Sequence, residues 1–222
     1  MVDSLRTVPA RIDLSPGVPD LAAFVRRDHP GLRRMAVFDA FDLSFLWSVE
    51  LPRQQKAGWC AIDSNGVLYS SNSRMTGRVE RKKGPLFRYQ IEERGLRYLG
   101  RTVLDDEHGD PVDFDSMQGG TFADDQHLYI SCGFYKGWHE SWGIHLFDLR
   151  TRRRIARSTN GSGDFNYEFH PFPYEEEPEG LTYWDLDLPR APGISGQLHA
   201  ILLDNDDNGD DVYLKHYRVE GL

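Results

Sequence analysis

The sequence is poor in several things that would each define a class of protein. Two cysteines in 222 residues, Cys60 and Cys132, are too few for a disulfide framework or a cysteine-built zinc site. Their separation in the chain predicts two unpaired, buried thiols. No apolar run approaches the roughly 20 residues that cross a bilayer, so no membrane association is expected. Positive charge is short as well. Lys and Arg total 26 against 35 Asp and Glu, a net charge of −9, which argues against nucleic acid and anionic lipid as partners. The residues after Met1 lack the apolar core of a secretion signal. As it stands the chain is expected in the cytoplasm, and outside the cell if it belongs to a longer precursor. Helical periodicity is nearly absent, and only Val18 to Arg27 fits a short helix, entered near Pro19 and Asp20.

What the chain does have is 39% hydrophobic residues and a repeat of about 60 positions. Gly58 to Ser71 aligns with Gln118 to Ser131, and Glu179 to Tyr183 opens a third copy that resumes at Gln197 to Ile201 after an insertion. Each copy reads as a short apolar strand, a turn and a second strand of alternating pattern. Asp63-Ser64-Asn65-Gly66 and Ala123-Asp124-Asp125-Gln126 supply the reversals. A second pair of strands follows: Pro85 to Ile91 with Leu96 to Val103, and Gly143 to Leu149 with Arg154 to Ser158. Met35 to Phe38 and Ser44 to Val49 form an outer pair upstream, and Asp211 to Val219 forms an outer strand downstream.

Four antiparallel strands per unit, repeated, predict an all-β chain: a β-propeller of four-stranded antiparallel blades, either small or a fragment of a five- to six-bladed ring. A single domain over residues 1–222 is expected, with 1–34 as an N-terminal segment and 35–222 as blades. Thr7 to Leu14 is the candidate closing strand, because a ring must hide its edges.

From Gly58 to Val219 the chain resembles a family of bacterial secreted propellers without an established activity. The resemblance rests on Leu68-Tyr69-Ser70-Ser71-Asn72, Gln118-Gly119-Gly120, Glu179-Gly180-Leu181, Leu203-Asp204-Asn205-Asp206 and the run from Asp210 to Tyr217. Glu179-Gly180-Leu181-Thr182 is also similar to the calcium-binding strand of β-propeller phytases, and more loosely to related nucleotidases and lactonases. That likeness implies Glu179 as a metal ligand in a central channel. It brings in one functional reading, a calcium-dependent hydrolase of phosphate esters or lactones.

In a blade the d–a and b–c loops share one face. Asp105 to Asp115, Asp164 to Pro178 and Asp204 to Asp211 are therefore expected to crowd carboxylates around the starts of the inner strands. Crowded carboxylates repel unless a cation or solvent intervenes, and oxygen ligands suit Ca²⁺. Asp204, Asp206 and Asn208 match alternate positions of a calcium loop, although Lys215 stands where its final Glu belongs. A hairpin turn rich in Asp, Asn and Gly explains the same residues. Glu179 and Gln118 head two inner strands, and both are expected to aim side-chain oxygens into the channel mouth. Gly119 and Gly180 are expected to let the backbones approach.

The b–c loop from Phe134 to Trp142 places Tyr135, Trp138, His139 and Trp142 on that face, an aromatic platform for sugars or other flat groups, or a flap covering the blade. Trp59 is expected to pack between blades, and His199 and His216 to face each other across adjacent strands. The run Arg150 to Arg154 is expected away from the acidic face. No zinc, nucleophile-elbow or phosphate-loop spacing occurs. The leading functional reading is a propeller that binds a small molecule or carbohydrate, with calcium as a structural cation. Oligomeric state is not legible in the sequence.

Overall fold

The computed structural model describes residues 21–25, 34–54, 57–72, 85–112, 114, 117–132, 143–159, 162–163, 176–186, 195–206 and 209–219. Every regular element among them is a strand. In chain order these are β1 (Leu21–Val25), β2 (Arg34–Asp39), β3 (Phe45–Glu50), β4 (Cys60–Ile62), β5 (Val67–Ser70), β6 (Pro85–Glu92), β7 (Gly95–Val103) and β8 (Met117–Phe122). They continue as β9 (His127–Cys132), β10 (Gly143–Asp148), β11 (Arg153–Thr159), β12 (Ser162–Gly163), β13 (Glu176–Tyr183), β14 (Leu198–Asp206) and β15 (Gly209–Tyr217). All named pairings are antiparallel, and they give four sheets in sequence order: β1-β2-β3, β4-β5-β6-β7, β8-β9-β10-β11-β12 and β13-β14-β15.

The second and third sheets carry the predicted strand order, with β12 as a short addition to the edge of the third. Upstream the sequence reading needs a correction. The expected helix over Val18 to Arg27 contains strand β1, whose Leu21 pairs with Asp39 and Val25 with Met35. A helix of ten residues is marginal on its own, and a neighbouring strand offering a full ladder outweighs local propensity. The outer pair is thereby a three-stranded sheet. The proposed closing strand Thr7 to Leu14 lies outside the described residues.

Short turns punctuate the sheets, and aspartate builds them. Asp63 Oδ1 accepts from the amides of Asn65 and Val67, and Gly66 takes the left-handed φ of 74° that the reversal needs. Asp39, Asp124 and Asp148 do the same for Phe41 and Asp42, for Gln126 and His127, and for Arg150 and Thr151. These four aspartates therefore serve hairpin geometry.

Three apolar clusters lie between successive sheets. Met35 and Val37 of the first meet Leu68, Phe87 and Tyr89 of the second. Trp59, Tyr69 and Leu86 of the second meet Met117, Leu128, Ile130 and Phe147 of the third. Tyr129, Ile144 and Leu146 of the third meet Leu198, Ala200 and Leu202 of the fourth. β9 shows the two-residue period at work: Leu128, Ile130 and Cys132 face backward along the chain, whereas Tyr129 faces forward and stacks on Tyr183. The strands β4, β8 and β13 pack side by side, so the sheets are arranged as blades about an axis.

Equivalent turns of neighbouring blades touch directly. The Ser64 amide and hydroxyl donate to the Asp125 carboxylate at 3.1 and 2.7 Å, joining two turns 61 residues apart. Trp59 lies between blades as expected, its Nε1 donating to Ser71 Oγ at 2.7 Å. Its ring rests on Gly120, where a Cβ would stand 2.3 Å from Cζ3. Neither cysteine is in a disulfide. Cys132 is buried in β9, and burial pushes the Cys60 thiol in β4 up to about 12.

Candidate functional site

Two irregularities at the same end of successive inner strands define the site. In the β8–β9 ladder Met117 is opposite Cys132 and Gly119 opposite Ser131, which leaves Gln118 as an extra residue. In the β13–β14 ladder Pro178 is opposite Leu202 and Gly180 opposite Ile201, which leaves Glu179 as the extra residue. A bulge re-aims the side chain it carries and breaks strict alternation. Here both bulged residues are polar, and they meet. Gln118 Nε2 donates to Glu179 Oε1 at 2.7 Å, a charge-assisted bond between blades. Gln118 is buried and Glu179 half-buried. A partly buried carboxylate needs compensation, and a neutral amide supplies part of it.

The close backbone approach expected at Gly119 and Gly180 is divided differently. At Gly119 a Cβ would stand 2.5 Å from Ser131 Oγ and 2.9 Å from the Leu181 amide nitrogen, and Gly120 is pressed by Trp59. At Gly180 the nearest atom would be Ile201 Cδ1 at 3.6 Å, an ordinary contact. Glycine is therefore a steric requirement in β8 and not in β13. Behind Gly119, the fully buried Ser131 Oγ has no hydrogen-bond partner among the described residues.

The corresponding end of the second blade holds a polar network that the sequence reading missed. Buried Gln54 donates through Nε2 to Ser70 Oγ and to the Ser71 carbonyl, both at 3.0 Å, while Ser70 Oγ donates to the Trp59 carbonyl at 2.7 Å. Tyr89 hydroxyl lies 2.9 Å from Gln54 Oε1 and 2.7 Å from the Pro52 carbonyl. The repeat offered one signal, since Ser71 and Ser131 occupy equivalent positions. Gln54 lies ahead of the repeat and carried none.

The acidic loops separate. Asp105 bridges to Pro111 and to Arg153, and Asp106 Oδ1 caps its own turn through the amides of His108, Gly109 and Asp110. Those bonds, led by the Asp110 amide, hold the Asp106 carboxyl below its ordinary value. Glu107 accepts from Arg154 Nε at 2.9 Å, and its carboxyl is lowered by its own backbone amide and then by Arg154. This corrects the expectation for that segment. Asp105 to Asp110 pack against the edge of β11 and engage the arginine-rich turn, instead of facing the inner-strand starts apart from it.

Asp204 and Asp206 belong to β14, and the ladder runs through them as Asp204–Asp211, Asn205–Asp210 and Asp206–Gly209. β14 and β15 are thus joined as a hairpin whose last described pair is Asp206–Gly209. Glu176 also pairs with Asp204, so Glu176, Asp204 and Asp211 occupy one row across three strands, at the Glu179 end of the sheet. Asn208, Asp207 and the loop residues 164–175 lie outside the described residues. So does the aromatic segment with Tyr135, Trp138, His139 and Trp142. Its flanking strands place where it leaves and returns: β9 ends at Cys132 opposite Met117, one residue before Gln118, and β10 begins at Gly143 opposite Cys132. Among residues whose side chains are described, no group of three or more His, Cys, Asp or Glu stands close enough to hold a metal ion.

No protein-family model matches the chain, and no curated protein matches its sequence. Solved structures do match in shape. The periplasmic gluconolactonase PpgL of Pseudomonas aeruginosa is 12% identical with a TM-score of 0.50, over 89% of this chain and 49% of that one. Hydrazine synthase of Kuenenia stuttgartiensis is 13% identical with a TM-score of 0.48, over 97% and 48%. The WD40 repeats of RRP9 are 9% identical with a TM-score of 0.41, over 88% and 47%. The chain thus spans about half the length of these structures, and at such identities the likeness concerns fold alone. The chain is an all-β propeller of antiparallel blades.

Proposed function

We propose that the protein is a ligand-binding β-propeller that takes a hydroxyl-rich small molecule, a carbohydrate, at the end where the inner strands begin, with calcium as a structural cation there. The bulged Gln118–Glu179 pair carries this reading. A carboxylate and a carboxamide side by side offer a charged acceptor and N–H donors, the groups that recognise hydroxyls, and charge-assisted bonds are the stronger kind. β9, the strand that precedes the segment carrying Trp138 and Trp142, ends at Cys132 opposite the neighbour of Gln118, and aromatic side chains suit a platform for such a ligand. Calcium is proposed from the acidic sequence at this end of the chain's inner strands, since crowded carboxylates repel unless a cation or solvent intervenes and oxygen ligands suit Ca²⁺.

The test is a thermal-shift series of the whole chain with neutral mono- and disaccharides, in calcium and in EDTA. A ligand that prefers the native state raises the midpoint in proportion to the logarithm of its concentration above Kd. A saccharide-dependent rise, larger in calcium, supports the reading. Turnover of a phosphate monoester or a lactone in calcium, with no saccharide effect, would favour the hydrolase instead.

A further inference from the structure

The opposite end of the fourth sheet is tied by two histidines. His199 in β14 and His216 in β15 are register partners, their Nδ1 atoms are 2.7 Å apart, and His199 Nε2 lies 2.8 Å from the Trp184 carbonyl. His199 is 3% exposed and His216 is half-buried. Chemistry assigns the protons. A carbonyl only accepts, so His199 carries its hydrogen on Nε2 and offers Nδ1 as a lone pair. The hydrogen between the rings therefore belongs to His216.

The next basic position of the pair is His216 Nε2. A first added proton there keeps both bonds and makes the inter-ring donor cationic. A second proton must go to His199 Nδ1, and two N–H groups then point at each other across a hydrogen-bond distance. The side-chain bond between β15 and β14 is lost and replaced by repulsion inside the ladder, while the His199 Nε2–H bond to the Trp184 carbonyl remains.

Among the described residues, the titratable and charged groups near the pair are few. Asp185, beside the Trp184 carbonyl, accepts from Gln197 Nε2 at 3.3 Å. Tyr183 precedes it in β13, while Lys215 and Tyr217 flank His216 on the alternate face of β15 and Arg218 follows. The influences on His216 are desolvation, which disfavours its charged form, and then repulsion with His199, which disfavours charging both rings. Neutral histidine is thus favoured in the folded state. The associated stability is present above the unfolded value near 6.5 and is lost as pH falls from there through the lower folded value.

We infer that His199 and His216 form an acid-operated latch on the fourth sheet, which stays closed with one added proton and opens with the second. The pair titrates as a unit in two steps. The decisive experiment is ¹⁵N NMR of the histidine-labelled whole chain during acid titration, with hydrogen exchange of the β15 amides followed in parallel. At neutral pH the expected tautomers are Nε2–H for His199 and Nδ1–H for His216, with a ¹⁵N–¹⁵N coupling across the shared hydrogen. On acidification the upper step should leave that coupling intact. The lower step should remove the coupling and β15 protection together. His216→Gln keeps an N–H donor without a basic nitrogen, so it should retain the closed sheet at neutral pH and show one step. Reversed tautomers, one-step titration of both rings in the unaltered protein, or β15 protection that outlasts the coupling would each overturn the latch.

Discussion

Gln118 and Glu179, 61 residues apart, are each the extra residue of a bulge in neighbouring inner strands, and they share a 2.7 Å hydrogen bond. The relationship joins the two levels of the molecule. The repeat brings equivalent positions of successive blades together, and the bulge turns a polar side chain out of the alternation that would otherwise fix its direction. Replacing Gln118 with Ala removes the donor and leaves the Glu179 charge less compensated. A loss of about 1.5–3 kcal/mol of stability is expected, read from denaturant midpoints. An unchanged midpoint would show that the bond contributes nothing.

The packing of Trp59 on Gly120 makes a sharper steric prediction. Gly120→Ala places a methyl 2.3 Å from Cζ3 of the indole, so a cost of about 1–3 kcal/mol is expected from overpacking, whereas Gly180→Ala meets only Ile201 at 3.6 Å. Melting temperatures of the two variants compare them directly. Equal effects would contradict the inter-blade contact.

Both cysteines should react as thiols. Denatured, unreduced protein should yield two equivalents with a thiol reagent, one each from Cys60 and Cys132. In the folded state Cys60 should be inert near pH 8, because burial raises its thiol to about 12 and the thiolate is the reactive form. Rapid labelling of native Cys60 would place that residue in a different environment.

Acid should expose the turn chemistry. The amides of Asp110, His108 and Gly109 bind the ionised Asp106 carboxylate and lower its affinity for protons. Its contribution is therefore present above the ordinary value of 3.8 and is lost as pH falls through the lower folded value. Carboxyl ¹³C shifts followed against pH should show Asp106 titrating below the exposed aspartates. An ordinary titration would remove the cap from the account.

Much of the architecture was legible because short hairpins advertise themselves. Asp63 to Gly66 and Ala123 to Gln126 are the reversals their composition predicts, and β4 to β11 follow the expected order. β1 escaped because Leu21 to Val25 is too short to show a period, and only its pairing with β2 makes it a strand. The bulges escaped for a different reason. They are a property of the ladder between two strands, so Gln118 and Glu179 could be placed at strand heads while their contact could not. The row Glu176–Asp204–Asp211 likewise exists only in the register.

The aromatic segment supplies an independent check on where a ligand sits. Trp138→Ala with Trp142→Ala is expected to abolish saccharide binding while stability stays within about 1 kcal/mol, as surface changes usually do. A large loss of stability would assign both rings to the core.

Isothermal titration of Glu179→Gln reads whether the bulged pair anchors the ligand. The substitution keeps the shape and removes the charge. A folded variant is expected that has lost at least about 1.5 kcal/mol of saccharide affinity, more than tenfold in Kd, together with the calcium-dependent rise in melting temperature. Unaltered protein that binds a saccharide, beside a variant with the same Kd and the same calcium response, would contradict that anchoring role.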